Sequence, residues 1–286
     1  MVIADRLAAY VSDVYGHPGS HPGIAVLLAT YFFAFQIYCD FSAYSDIAIG
    51  AAQVMGFRLM DNFNRPYFSK TIAEFWSRWH ISLSTWFRDY LYIPLGGNRC
   101  AKSRWLLNLL IVFIVSGLWH GAAWTYIIWG ALHGLYLMLE ILTGPFRKAA
   151  SRKIRLDCHP HIHKFIQVFI TFHLVCLSWI FFRADSLHDA VMLLKSLFLN
   201  FIPSLRPQAI VQAVTQVETR DGGLFMAFAV IAFMEIIHLM QRHRKMRRFM
   251  DDKPLIVRWA VYYAIVLSIL LFGVVDSPFE FIYFQF

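Results

Sequence analysis

Two histidines in aromatic, glycine-flanked surroundings carry the chemistry that this sequence offers. His80 lies within Glu74–Arg99, where Phe75, Trp76, Trp79 and Trp86 alternate with Arg78, His80, Arg88 and Asp89 at roughly helical spacing. His120 lies in Ser116–Gly121, inside an apolar run, between Gly117 and Gly121. Imidazole titrates near neutrality and so suits general-base work on a hydroxyl. An ionisable residue at membrane depth is a functional candidate by default. Each site also has a plainer reading. The Glu74–Arg99 stretch reads equally as an interfacial anchor, its rings at headgroup depth and its charges in water. His120 reads as a packing histidine hydrogen-bonded between helices, a role that His133 and His173 fit better.

Other chemistries find little support. The sequence contains no G-x-S-x-G elbow, no phosphate-binding G-x-x-x-x-G-K-[ST] loop and no dinucleotide G-x-G-x-x-G fingerprint after a strand, which speaks against serine hydrolysis, nucleotide hydrolysis and dinucleotide redox chemistry. Cys39, Cys100, Cys158 and Cys176 have neither paired nor CxxC spacing, so neither a disulfide framework nor a cysteine metal site is expected. Cys158-His159-Pro160-His161-Ile162-His163 has metal-ligand composition but sits in a basic, proline-containing connection, and reads as a solvated turn; no bound metal is expected. Asp40 and Asp46 flank Phe41–Ser45 at membrane depth, either pairing with basic residues such as Arg65 or lining a polar path, with pairing favoured. Glu235 and His238, three apart, are expected to face the helix bundle.

The elements that must position these residues are membrane helices. Of 286 residues, 58% are hydrophobic, 17% aromatic and only 15% charged, and mean hydropathy is +0.52. Soluble domains carry about 25% charged residues, so the chain is an integral membrane protein. Apolar runs predict an all-α polytopic transmembrane bundle of six or seven spans, Ile24–Cys39, Ala43–Phe57, Trp105–Gly117, Ala122–Leu142, Phe165–Phe182, Leu224–Met240 and Leu255–Val275, with interfacial amphipathic and re-entrant helices in addition. Leu187–Phe201 reads as one amphipathic piece, and residues 1–286 as a single membrane domain. His17–Gly23 is a turn-rich lead-in to the first span. The opening of the chain has no signal-peptide pattern.

Charge sets the expected orientation. Arg58–Arg104, Arg147–Lys164 and Arg242–Arg258 hold eight, six and seven basic residues, 21 of the 26 in the chain. By the positive-inside rule these segments face the cytoplasm, which leaves Ala184–Gly223 and the C-terminus outside. The net charge of +8 is thereby explained without nucleic acid as a partner. Trp105–Gly117 spans only about 20 Å as a helix, so a Leu118–Gly121 turn is expected inside the bilayer, where irregular backbone must be buried or line a wet cavity. An amphipathic Trp76–Arg88 helix would bury Trp76, Trp79 and Leu83 and turn His80 inward, so that His80 and His120 share one cavity.

Several motifs resemble the membrane-bound O-acyltransferase family, in particular its bacterial alginate O-acetyltransferase branch and the D-alanyl-transferring and peptidoglycan-acetylating relatives. They are Cys39–Gly50, Asn62–Tyr67, the Glu74–Arg99 block, Ser116–Gly121 and Phe281–Phe286. Ala43 and Ser116 stand where the family often has glycine, and the family has further helices before the Ile3–Leu7 segment, so the chain is expected to be the C-terminal part of a longer domain. The resemblance implies acyl transfer, with His120 the essential residue and His80 a second polar site residue. It implies no tightly bound cofactor; acetyl-CoA or a carrier-protein thioester would be the acyl donor, with Arg88, Arg99, Lys102 and Arg104 facing its phosphates. Trp79, Arg88, Asp89, Tyr90, Asn98 and Trp119 would bind substrate. The acceptor would be a hydroxyl of an extracytoplasmic polysaccharide such as alginate, or of an extracytoplasmic partner transferase, and the location the bacterial inner membrane. An inactive scaffold subunit and a transporter are the alternatives, the latter lacking the paired interrupted helices of two related halves.

Overall fold

The computed structural model describes residues 3–215, 223–241, 250 and 252–273. All regular elements among the described residues are helical. The Phe281–Phe286 motif and the expected external C-terminus lie outside the described residues. Four helices are long and apolar enough to cross a membrane, and two shorter apolar ones follow, Met226–Met240 and Leu255–Leu271. Contacts group the chain into two compact units, residues 1–41 with 196–285 and residues 42–195 with 286.

In the first unit, α1 (Ala4–Gly16) buries Leu7, Tyr10, Val11, Val14 and Tyr15. It packs on the first part of α2 (Gly23–Val54): Tyr10 meets Phe32 edge-on at 5.3 Å, and the Tyr15 hydroxyl lies 3.0 Å from Thr30 Oγ1. Tyr38 hydrogen-bonds His238 at 3.0 Å, and the other nitrogen of that ring faces Glu235 at 3.3 Å, so this pair faces the bundle as expected.

α2 corrects the expectation of two spans over Ile24–Phe57. It is one helix of 32 residues, about 48 Å long. The dip in hydropathy at Asp40, Ser42, Ser45 and Asp46 imitates a turn, but no proline or turn glycine interrupts the backbone there. The helix ends where the sequence supplies a stop. Gly56 takes φ +87°, Phe57 N donates to Ala52 O at 2.9 Å and Gly56 N to Gln53 O at 3.1 Å, the Schellman pattern.

The second unit is built on a tight hairpin of α5 (Lys102–His120) and α6 (Trp124–Lys153), with α7 (Pro160–Arg183) beside it. Small residues set the approach of α5 to α6. A Cβ on Gly117 would overlap the carbonyl of Tyr126, and one on Gly130 the carbonyl of Phe113. α5 also differs from expectation. It has 19 residues, about 28 Å, because Lys102–Arg104 and Leu118–His120 are helical too. The turn therefore falls at Gly121–Ala123, at the end of a helix of nearly bilayer length. Two short helices, α3 (Ile72–Trp76) and α4 (Ile81–Phe87), complete the framework of the site. After α7, α8 (Leu187–Leu199) is amphipathic as expected, burying Ala190, Leu193 and Ser196.

Candidate functional site

His120 is the last residue of α5. Its half-buried ring stands edge-on to Trp129 at 5.1 Å and to Phe182 at 5.2 Å, with Trp119 at 4.9 Å. Among the described residues no group hydrogen-bonds its nitrogens, so they remain available to a ligand. Gly121 is required here because a Cβ would run into the Tyr126 ring.

His80 reaches this region by a route that helical periodicity does not describe. Trp76–Arg88 is not one helix. α3 stops at Trp76, and His80 itself takes φ +45°, a left-handed conformation that costs a non-glycine residue about 1–2 kcal/mol. Asn62 secures that bend. Its carbonyl accepts from Ile81 N at 3.0 Å, and its Oδ1 accepts from Ser82 N at 3.1 Å and from Ser82 Oγ at 2.6 Å. Asn64 N donates to Arg78 O at 2.9 Å on the other side. The Asn62–Asn64 strip thus clamps both ends of the turn that carries His80. Burial pushes the His80 imidazole down to about 4, so the ring is neutral at physiological pH.

The two histidines are close enough to interact electrostatically, and a train of rings fills the space around them. Trp79, 3% exposed, lies 5.2 Å from Trp179. Trp179 in turn meets Phe182 at 5.2 Å and stacks on Trp129 at 6.0 Å, both of which contact His120.

His133 has the packing role expected of it. Trp76 Nε1 donates to its Nδ1 at 3.2 Å. An indole nitrogen can only donate, so Nε2 carries the proton and faces Ser178 Oγ at 2.9 Å. The Ser178 hydroxyl donates onward to Val175 O at 2.8 Å. This buried network is fully satisfied, which is what fixes a single arrangement. His173 sits 2.7 Å from Phe169 O, four residues back on its own helix.

A largely apolar cavity of about 520 Å³ opens beside the site, lined by Trp76, Leu83, Phe87, Val112, Phe113 and Leu137, with Ser84, Arg88, Ser116 and Glu140 at its polar edges. That size suits a small-molecule ligand. Neither His80 nor His120 lines it. Of the substrate-binding candidates, Arg88 alone lines it. Arg88 also forks onto Asp89, Nε to Oδ1 at 2.7 Å and an Nη to Oδ2 at 3.2 Å, which holds the Asp89 carboxyl below the usual carboxylate range. Both lie in a π-helical turn, Arg88–Tyr92, a form frequent at functional sites. Tyr90 is 68% and Trp119 54% exposed; Asn98, Arg99, Lys102 and Arg104 are exposed as well. Trp79 is instead a core residue of the ring train.

Sequence reasoning passed over Glu140. From α6 its Oε2 accepts from Ile72 N at 2.9 Å, capping α3 from 68 residues away and bordering the cavity. The available signal was a lone carboxylate within the apolar run Ala122–Leu142.

Comparison with known proteins agrees with this architecture. The model of the MBOAT, membrane-bound O-acyltransferase, family matches residues 11–184. The chain is 46% identical over 196 residues to the "Probable alginate O-acetylase AlgI" of Pseudomonas aeruginosa, covering 68% of this chain and 35% of that one. It is 41% identical over 197 residues to a peptidoglycan O-acetyltransferase of Helicobacter pylori, covering 69% and 36%. It is 32% identical over 170 residues to a teichoic acid D-alanyltransferase of Bacillus subtilis, covering 57% and 42%. The matched stretch spans about a third to two fifths of the length of these relatives.

Proposed function

We propose that this chain, which belongs to the membrane-bound O-acyltransferase family, carries the histidine site of an enzyme that moves an acyl group, in the first instance acetyl, from a cytoplasmic thioester to a hydroxyl outside the membrane. The observation that supports this reading best is His120: a half-buried imidazole in an aromatic enclosure, its nitrogens unpaired among the described residues, within electrostatic reach of His80. The relatives named as alginate O-acetylase, peptidoglycan O-acetyltransferase and teichoic acid D-alanyltransferase support a polysaccharide or a partner transferase as acceptor.

In this mechanism His120 takes the proton of the acceptor hydroxyl as its oxygen attacks the thioester carbonyl. The C–O bond forms, the C–S bond breaks, and the proton passes from His120 to the departing thiolate. His80, being neutral, contributes a ring N–H that orients the acyl carbonyl or meets its developing negative charge; each such donor is worth a few kcal/mol in the barrier. Acetyl-CoA or a carrier-protein thioester serves as donor. The exposed basic residues Arg88, Arg99, Lys102 and Arg104 receive its phosphates on the cytoplasmic side. The bacterial inner membrane is the location, with the C-terminus outside, beside extracytoplasmic polysaccharide-modifying proteins.

The test is acyl transfer in the native membrane. His120→Ala is expected to lower the rate about 10²–10⁴-fold, the usual worth of a general base, with normal amounts of inserted protein. Unchanged transfer by that variant would remove His120 from the mechanism.

A further inference from the structure

We propose that Asp13, His17 and His21 form a divalent-cation site in the first unit, independent of the acyl-transfer reading, with zinc as the metal that fits it best. Their ligand atoms all lie within 4.8 Å of one another. His17 Nδ1 is 3.6 Å from Asp13 Oδ1, and His21 Nε2 is 3.4 Å from Asp13 Oδ2. Bonds of about 2.0–2.1 Å in a tetrahedral zinc site place neighbouring donor atoms about 3.3–3.4 Å apart. Each imidazole therefore stands near that edge length from the shared Asp13 carboxylate, His17 at Oδ1 and His21 at Oδ2.

The arrangement is built by the local fold. Asp13 and His17, four apart in the last turn of α1, share one helix face. The chain then reverses at Pro18–Gly19, where Gly19 takes φ +91° and Ser20 N donates to His17 O at 3.1 Å. That turn returns His21 to the same carboxylate. Both sides of the loop are held. Ser196 Oγ donates to His21 O at 2.9 Å, and Tyr10 and Tyr15 fix α1 through Ala213 O and Thr30. A loop held in this way has little left to order when a ligand arrives.

A surface ion-pair cluster is the competing account, and it explains the convergence less well. Two imidazolium rings on one carboxylate repel each other, and exposed pairs contribute about 0–1 kcal/mol. Neutral imidazoles on a divalent cation incur no such repulsion. Nδ1 of His17 donates to Asp13 O at 3.0 Å; coordination through Nδ1 would move the ring proton to Nε2. Two nitrogens and a carboxylate oxygen form a borderline donor set suited to zinc, and three protein ligands leave one position for water or an external carboxylate. The more conspicuous Cys158–His163 run does not converge in this way.

The experiment is a Zn²⁺ titration of the purified, chelator-stripped chain against a chromophoric chelator. One Zn²⁺ per chain is expected. His17→Gln is expected to weaken binding at least tenfold; its side chain is 67% exposed, so the fold is undisturbed. Asp13→Asn is expected to do the same, while the combined Cys158→Ser, His159→Gln, His161→Gln, His163→Gln variant retains the wild-type affinity. Absence of binding at micromolar Zn²⁺, unaltered binding by His17→Gln, or loss of binding only in the combined variant would each overturn the assignment.

Discussion

His80 and His120 differ in the one property that would divide their roles. His120 has open nitrogens in a ring-lined enclosure, whereas His80 sits on a bend clamped by Asn62 and faces Ser82 Oγ through Nδ1 at 3.4 Å. The folded value near 4 against an ordinary 6.5 fixes the sign of its effect. Burial favours the neutral form, so the associated stability is fully present above pH 6.5 and is lost as pH falls from there towards 4. The upper bound is about 3 kcal/mol. Thermal melting of the purified protein between pH 7 and 4.5 should therefore drop less steeply in His80→Gln than in wild type; an identical slope would show that His80 is not the group being protonated. A double-mutant cycle on transfer rate addresses the pair. If both rings act on one acyl group, the His80→Ala, His120→Ala losses should fall short of additivity by 0.5 kcal/mol or more, in the range measured for coupled neighbours. Fully additive losses would leave His80 with a role in holding the fold alone.

At the scale of elements, what the sequence revealed and what it hid follow from physics. Long apolar helices, the amphipathic α8 and the packing role of His133 were legible, because apolar periodicity reports burial directly. The boundaries of α2 and α5 were not. A hydropathy dip at Asp40–Asp46 looks like a loop when the deciding factor is the backbone, which meets no obstacle until Gly56. The inward placement of His80 was anticipated for the wrong reason, since a left-handed residue between α3 and α4 leaves no trace in side-chain periodicity. Its supports, Asn62 and Asn64, come 18 and 16 residues before it in sequence, and Glu140 lies farther still from the helix it caps. The clamp makes a specific prediction. Asn62→Ala removes the acceptor for Ser82 N and Ser82 Oγ, leaving groups whose loss costs about 1–3 kcal/mol. It should lower both the melting temperature and acyl transfer, while Asn62→Asp, which keeps the accepting oxygen, should restore most of each. An aspartate variant as impaired as the alanine one would mean that the bend is held by other contacts.

For the molecule as a whole, the single helix α2 bears on the proposed orientation. Two crossings over Ile24–Phe57 would return the chain to its starting side, so that Ser20 and the basic Arg58–Arg104 segment would share the cytoplasm. One crossing would put them on opposite faces. In the orientation proposed above, α2 would then run inward to Arg58, α5 outward, α6 inward to the basic Arg147–Lys164 stretch, and α7 outward to Ala184. The alternation agrees with the charge of every connection along this path, which is the support that the positive-inside rule offers. Impermeant thiol labelling in intact cells distinguishes the two cases. Cys100 and Cys158 are exposed and are first replaced by serine. Ser204 is a poor reporter, although it lies in an expected external connection, because it is 3% exposed and accepts from Ile24 N at 3.0 Å. Exposed Ser20 and Gln208 serve better, with Lys153 as the cytoplasmic counterpart. Ser20→Cys and Gln208→Cys should label without permeabilisation, and Lys153→Cys only after it. Labelling of Gln208→Cys but not Ser20→Cys would restore two crossings. Inversion of all three would place the basic segments outside and take away the cytoplasmic route assigned to the thioester donor.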